Sequence, residues 1–467
     1  MTSRVSPVDV AHLPDQVADI VADDVTLARL LIAIRRHLHM NPEVGMREHS
    51  TSQFIRTTLE GYGLDVTGPV AGTGLFVDIE GTAGRLDGEP HVIGYRADID
   101  ALPASDQKHV PYRSQTPGVA HLCGHDAHTA IGIGVALVLN QMRDQISGTV
   151  RVFFQPNEEG LPSGAPLMIR SGVLDRLQAV YGIHVDPTLD VGRYGLRTGP
   201  VTAASDRFDA YVRQEGTGHS ARPHESADTV WIANQIMNQY YQLAGRITDA
   251  RNPAVLTICK MTGSEAHNVI PETAQFGGTL RSVNQADRQT IRSNMRRIAQ
   301  QFGNMYDASI ELDFEDGAPP VINDQDAVQN VAVSVGEMFG EQAIFDIPET
   351  SMGGEDFAYY LQELPGAFIR VGTSSSKKTS FPLHHHHFDI DERPLAPTAR
   401  LMATVLINHL NDETLLNKAE PFQRDGYDSD GTSLTDEHSN PDRHRPLFNA
   451  NTAAHGANGS KNSRVDT

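Results

Sequence analysis

An alternation of short apolar runs with a helical stretch is the strongest constraint on this fold. GLFVDIEG (74–81), HVIGYRAD (91–98), TVRVFFQP (149–156) and AVYGIHV (179–185) each have the length and bounding residues of a strand. Between the second and third lies DAHTAIGIGVALVLNQM, which reads as a buried helix. Upstream, Leu27, Leu30, Leu31, Ile34 and Leu38 recur at helical spacing behind the acidic cap candidates of DDVTLARLLIAIRRHLHM. Strands alternating with helices predict an α/β fold whose sheet is largely parallel.

Near Val201 the rhythm changes. SDRFDAYVRQE predicts a strand, ADTVWIANQIMNQYYQLAGRI a helix, and AVLTICKMTG and ETAQFGGTLRS two strands. DRQTIRSNMRRIAQQFG then predicts a second helix and ASIELDFED a last strand. This β-α-β-β-α-β order is the ferredoxin-like arrangement. It divides the chain into one α/β domain over residues 1–202 and 317–412 and an inserted domain over 203–316. The remainder, 413–467, is rich in Asp, Asn, Ser and Gly with few large apolar residues, and reads as a disordered tail.

Charge excludes some partners. With 59 acidic against 38 basic residues the formal charge is -21, a field that repels nucleic acid and anionic lipid. No apolar run approaches the roughly 18 residues of a membrane helix. Two cysteines, Cys123 and Cys259, make no disulfide framework, and the N-terminal stretch has neither a basic n-region nor an apolar h-region. A cytoplasmic protein is expected.

Against this scarcity of cysteine, HLCGHDAHTA (121–130) sets a thiol two residues from an imidazole. Thiolate and neutral imidazole suit borderline-soft divalent metals such as zinc. A lone buried cysteine is ordinarily a small hydrophobe, so position decides. The stretch joins a predicted strand to a predicted helix, where open α/β sheets build their sites. QPNEEG, GIHVD and GGEDF fall at comparable places, and coincidence among four such loops is improbable.

These stretches carry a resemblance. RRHLHMNPEVGMRE, YRADIDALP, HLCGHDAHTA, VFFQPNEEG, GIHV, GHSARPHESAD, NVIPETA, GTLRS, GGEDFAYY and PLHHHHFDIDE occur in this order between about residues 30 and 409. The chain resembles the dimetal aminoacylase and carboxypeptidase family of metallopeptidases. Within it, the similarity is to the amidohydrolase branch of N-acyl-amino-acid, hippurate and auxin-conjugate hydrolases.

That resemblance implies two divalent metal ions held by Cys123, His125, Glu159, His184 and a histidine of the last motif, His384 by its place after PL. His385 or His386 is the alternative. Zinc suits the thiolate; manganese, cobalt and nickel also fit such sites. Arg96 stands where the family's peptidase branches carry a metal-binding histidine, and Cys123 supplies the anionic ligand instead. Asp98 and Asp126 are expected to orient the ligand imidazoles. His128 is expected to be structural.

The chemistry follows from the metals. A pair roughly 3.5–4 Å apart acidifies a bound water and polarises an amide carbonyl. The resemblance makes Glu158 the base beside the ligand Glu159. Neighbours in extended chain point to opposite sides, so one can bind metal while the other meets the water. His219 matches a histidine that reaches across a homodimer to the oxyanion. Asn268 and Arg281 match residues that hold the substrate carboxylate. His224 is a weaker match.

The expected activity is therefore hydrolysis of N-acyl-L-amino acids to a carboxylate and a free amino acid. A dipeptidase or carboxypeptidase is the rival within the family, and its substrate's α-amino group would call for an acidic contact. A non-catalytic zinc-stabilised binding protein is the rival outside it, and such a closed site has no use for Glu158.

Overall fold

In the computed structural model, residues 23–84 and 91–423 are described. The chain opens with helices α1 (Asp24–Met40) and α2 (His49–Gly61). Asp23 caps α1 by accepting the Val25 and Thr26 amides, and Leu27, Leu30, Leu31, Ile34 and Leu38 are buried as their spacing requires. Strands β1 (Val66–Val70), β2 (Gly74–Glu80) and β3 (Val92–Asp98) follow, then α3 (His125–Gln141), β4 (Thr149–Gln155) and α4 (Gly164–Arg170). Next come β5 (Leu177–Asp190), β6 (Tyr194–Leu196) and β7 (Gly199–Pro200).

From Ala204 to Glu315 the chain builds a separate sheet. Its strands are β8 (Ala204–Arg213), β10 (Ala254–Thr262), β12 (Thr273–Ser282) and β13 (Ser309–Glu315), in the antiparallel order β10-β12-β8-β13. Helices α5 (Thr229–Leu243) and α6 (Gln285–Tyr306) pack on one face, closing a core of Phe208, Ile232, Ile236, Tyr240, Phe276, Ile291 and Met295. The order and the two crossover helices match the ferredoxin-like expectation. The short strands β9 (Gly218–His219) and β11 (Val269–Ile270) pair apart from this sheet.

The chain then returns through β14 (Ile322–Asn323), α7 (Gln325–Phe339), β15 (Ile344–Asp346), α8 (Ala358–Glu363), β16 (Gly366–Ser374), α9 (Leu395–Leu410) and α10 (Glu413–Leu416). The large sheet runs β1-β2-β4-β3-β5-β16-β6-β15. Its centre, β4-β3-β5-β16, is parallel, and β1, β2 and β6 add antiparallel pairs at the flanks. α3 is buried almost all round, as its apolar composition demands. No helix among the described residues is long and apolar enough to cross a membrane.

One expectation is corrected here. Residues 413–423, assigned from sequence to a disordered tail, are packed against the main body. Leu416 is buried, Gln178 donates to the Leu416 and Ala419 carbonyls, and Phe422 exchanges backbone bonds with Leu177 and Arg176. The apolar anchors are sparse, so composition alone hid them. The rest of the expected tail, 424–467, lies outside the described residues.

Candidate active site

The polar loops meet at the carboxyl ends of the parallel strands. β3 delivers Asp98 and Asp100, β4 delivers Asn157–Glu159, and β5 carries His184 in register with Arg370 of β16. Gly124 precedes α3 with φ +94°, and a Cβ there would come within 2.3 Å of Val185 Cγ2. Only glycine lets the turn bring Cys123 and His125 together so close to β5.

Six of the nine expected residues converge. Cys123 Sγ lies 3.4 Å from His184 Nε2, and His384 Nε2 lies 3.1 Å from Glu159 Oε1. His125 Nε2 is 3.6 Å from Asp98 Oδ2 and 3.9 Å from Glu158 Oε2, and is buried without a hydrogen-bond partner. Donor atoms of Cys123, His125 and His184, of Cys123, Glu159 and His384, and of His125, Glu158 and Glu159 each fall within 4.8 Å of one another. His384 enters from a left-handed turn, φ 66°, the kind of strained backbone that collects at functional sites. Its neighbours face elsewhere: His385 stacks on Phe381, and His386 Nδ1 faces the Ser105 carbonyl.

Support for the imidazoles differs from expectation. His125 Nδ1 faces the Asp100 carbonyl at 3.0 Å and its Oδ1 at 3.2 Å, while His184 Nδ1 faces the Val185 carbonyl at 2.7 Å. Asp100, not Asp126, therefore orients His125. Asp98 binds His128 Nδ1 at 2.7 Å, and His128 Nε2 accepts the Val185 amide, so both of that ring's nitrogens are engaged structurally. Asp126 instead joins the buried Arg35 and His39 on α1, at 2.8 and 2.7 Å. Arg35 also donates to Asp389 and Glu392, just beyond the histidine run.

The two glutamates are not on opposite sides of an extended segment. Asn157 is left-handed, φ 55°, and the following residues bend, so both carboxylates face the site. Buried Glu48 anchors the turn by accepting the Asn157 amide at 3.0 Å. Beneath Glu158 lies Arg96, which donates to Asp98, Gln155 and Asp356 and sits 3.2 Å from Glu355. Asp356 further accepts from Gln155, Ser163 and Ala165.

Burial sets the proton affinities. It pushes the Glu158 carboxyl well up, reinforced by the charges of Glu355, Glu159 and Asp356. It pushes the Cys123 thiol up as well, with Glu159 adding to the effect. Burial disfavours a charged His125, but Asp98, Asp100 and Cys123 outweigh it and hold the imidazole above its ordinary value. His184 is pushed down by burial, then by His128 and Arg370. The unpartnered His125 nitrogen, the Cys123 thiol and the neighbouring carboxylates form a donor set suited to a borderline-soft divalent metal.

A cavity of about 410 Å³ opens here. Cys123, Glu158, Glu159, His184 and His384 line one side, and Ser205, Arg207 and Arg281 of the four-stranded sheet line the other. Arg281 also donates to the Met352 carbonyl. His219, Asn268 and His224 do not line it. His219 and Asn268 lie together on the exposed β9–β11 ribbon, where Ser220 donates to the Asn268 carbonyl. Sequence reasoning missed Glu48 and Asp100, although both stand inside quoted motifs, and gave no role to Arg35, His39 or Arg370.

The model of Peptidase family M20/M25/M40 matches residues 94–408. The N-acetyl-L-cysteine deacetylase of Bacillus subtilis is 36% identical over 367 residues, 79% of this chain and 85% of its own. Thermostable carboxypeptidase 2 of Saccharolobus solfataricus is 35% identical over 387 residues, 82% of this chain and 95% of its own. Among solved structures, a dinuclear metal-binding peptidase of the M20 family from Bacillus subtilis superposes with a TM-score of 0.73 at 32% identity, over 83% of this chain and 99% of that one. The chain belongs to Peptidase family M20/M25/M40 and is a hydrolase of amide bonds.

Proposed function

We propose that this hydrolase cleaves N-acyl-L-amino acids, releasing a carboxylate and a free amino acid, with Glu158 as general base. The observation that carries the reading is that Glu158 faces the same cavity as Cys123, Glu159, His184, His384 and Arg281, with His125 grouped beside them. Cys123, His125, Glu159, His184 and His384 would hold two divalent ions, zinc or manganese foremost and cobalt or nickel as alternatives. Bound there, the ions supply Lewis acidity toward the amide carbonyl and acidify a water to near neutral pH. Glu158 takes that water's proton and returns it to the leaving nitrogen.

Arg281 suits the free carboxylate, since guanidinium offers two parallel donors. His219 and Asn268 are exposed and outside the cavity, which supports a homodimer in which the partner supplies them. As a ligand Cys123 must stay out of any disulfide, which supports a reducing, cytoplasmic setting.

A dipeptide's ammonium group would need an unspent carboxylate at the cavity. Glu355 and Asp356 line it, but both are engaged by Arg96, and Asp356 accepts three further hydrogen bonds. This favours the acylated amine over the free one. The test is hydrolysis of acetyl, benzoyl, long-chain acyl and indoleacetyl amino acids beside plain dipeptides by metal-loaded protein. Cleavage of dipeptides alone would overturn the substrate class.

A further inference from the structure

In the wall of the cavity stands Arg370, a cation with no anionic partner among the described residues. On β16 its neighbours Ile369 and Val371 enter the main core, and the pleat sends Arg370 to the other face, level with His184 across the parallel pair. Among the described residues no carboxylate comes within ion-pair distance of it; its guanidinium carbon lies 5.5 Å from the Phe368 ring centroid. The other arginines at the cavity have neighbours of two kinds, an anion for Arg207 and a neutral carbonyl for Arg281. Arg207 pairs with Glu315 at 3.4 Å, and Arg281 donates to Met352. An arginine has five N–H donors in a planar fork that matches a carboxylate.

The surroundings sharpen the argument. The sequence carries a formal excess of 21 negative charges, yet among the described residues none is paired with this guanidinium. Most side chains lining the cavity are polar or charged, with Leu161, Leu383 and Ala318 among its apolar ones. Arg281 approaches from the four-stranded sheet and Arg370 from the large one, giving two cationic points on different walls.

We propose that Arg370 recognises a second carboxylate, so that the preferred substrates are dianionic N-acyl amino acids. The inference rests on the N-acyl-amino-acid reading for the placement of the first carboxylate at Arg281. The second belongs either to an acidic side chain or to a dicarboxylic acyl group, and the chemistry at Arg370 is the same for both.

Two isosteric pairs separate these sources from each other and from no effect: N-acetyl-L-glutamate against N-acetyl-L-glutamine, and N-succinyl-L-alanine against its terminal amide. Binding is measured by calorimetry on metal-loaded Glu158→Gln protein, so the readout needs no turnover. At least one dianion should bind about tenfold or more tightly than its amide, the gain of one charge-assisted contact. Arg370→Met should bring that ratio to near one while leaving the amides' affinity, metal content and melting temperature unchanged. Arg370→Lys should keep part of it, and Arg370→Gln repeats the test should the methionine variant not fold.

A ratio near one in both pairs with Arg370 present would overturn the proposal, as would a preference that survives Arg370→Met. Equal weakening of all four ligands would also overturn it, by making Arg370 a general positioning residue. The substrate screen fails separately: loss of all N-acyl cleavage there, with the Arg370-dependent preference intact, would remove the reaction class and leave the dianion site.

Discussion

Glu158 and Glu159 have identical chemistry and adjacent positions, so their different proposed roles make a sharp test. Glu158→Gln keeps size and hydrogen bonding but cannot take a proton, and turnover should fall by roughly 10²–10⁴ or more with metal content unchanged. Glu159→Gln removes an anionic donor grouped with Cys123 and His384, so that variant should lose metal as well as activity. Metal analysis of the two purified proteins decides between them. If Glu158→Gln is the metal-poor one, the assignments are reversed. At this scale the candidate donors were legible because Cys123, His125, Glu159, His184 and His384 are chemically conspicuous in or beside the loops at the strand ends. Their supports were not. Arg35 and His39 lie on the apolar stripe of α1, where a charged residue reads as surface until Asp126 is known to face it across 2.8 and 2.7 Å. Asp100 and Glu48 looked like ordinary loop acids, because nothing local shows that they accept from His125 and from the Asn157 amide. The opposed glutamates of the extended-chain argument failed for a local reason, the left-handed Asn157.

Elements were more legible than supports, since period and length report burial directly. β2, β3, β4 and β5, and the helices α1 and α3, fall where the apolar runs placed them. The β10-β12-β8-β13 order was accessible from element sequence alone, because two crossovers and a hairpin leave few antiparallel solutions. The chain's far end was less so, since α10 is only four residues long and its hold depends on one buried leucine and a few backbone bonds. That gives an expectation for truncation. Ending the protein after Gln423 keeps this packing whole and should leave activity and melting temperature nearly unchanged. Ending it after Asp412 strips Leu416 and the Phe422 bonds to Leu177 and Arg176, at a cost of about 2–4 kcal/mol and a drop in melting temperature of several degrees. Equal melting temperatures for the two truncations would show that residues 413–423 contribute nothing.

At the scale of the whole molecule, stability and activity draw on different groups. His409 on α9 is buried against the Tyr181 hydroxyl at 2.7 Å, and burial lowers its pKa to about 4. The unfolded chain, with an ordinary value near 6.5, then binds a proton that the folded chain refuses. Stability therefore falls as pH drops from about 6.5 toward 4, by roughly 3 kcal/mol from this group alone, and no further below that window. His409→Gln should lessen the fall of melting temperature across that range, with buried His121, also lowered to about 4, keeping part of it; an unchanged slope would clear His409 of the effect.

Activity should depend on assembly. His219 lies on the β9–β11 ribbon outside the cavity of its own chain, so the proposed oxyanion role requires the ribbon of a second copy. His219→Ala should lower turnover with metal content intact. Mixed with Glu158→Gln under conditions that exchange subunits, it should recover activity that neither variant has. In each hybrid, one site combines an intact Glu158 with the partner's intact histidine, while the other lacks both. Random exchange at equal amounts makes half the dimers hybrid, so about a quarter of wild-type activity should return. Fluorescently tagged subunits report whether exchange has occurred. Recovery near that fraction would place the two residues on different chains in one site, whereas exchange without recovery would remove His219 from action across a dimer and leave its role to be sought within its own chain.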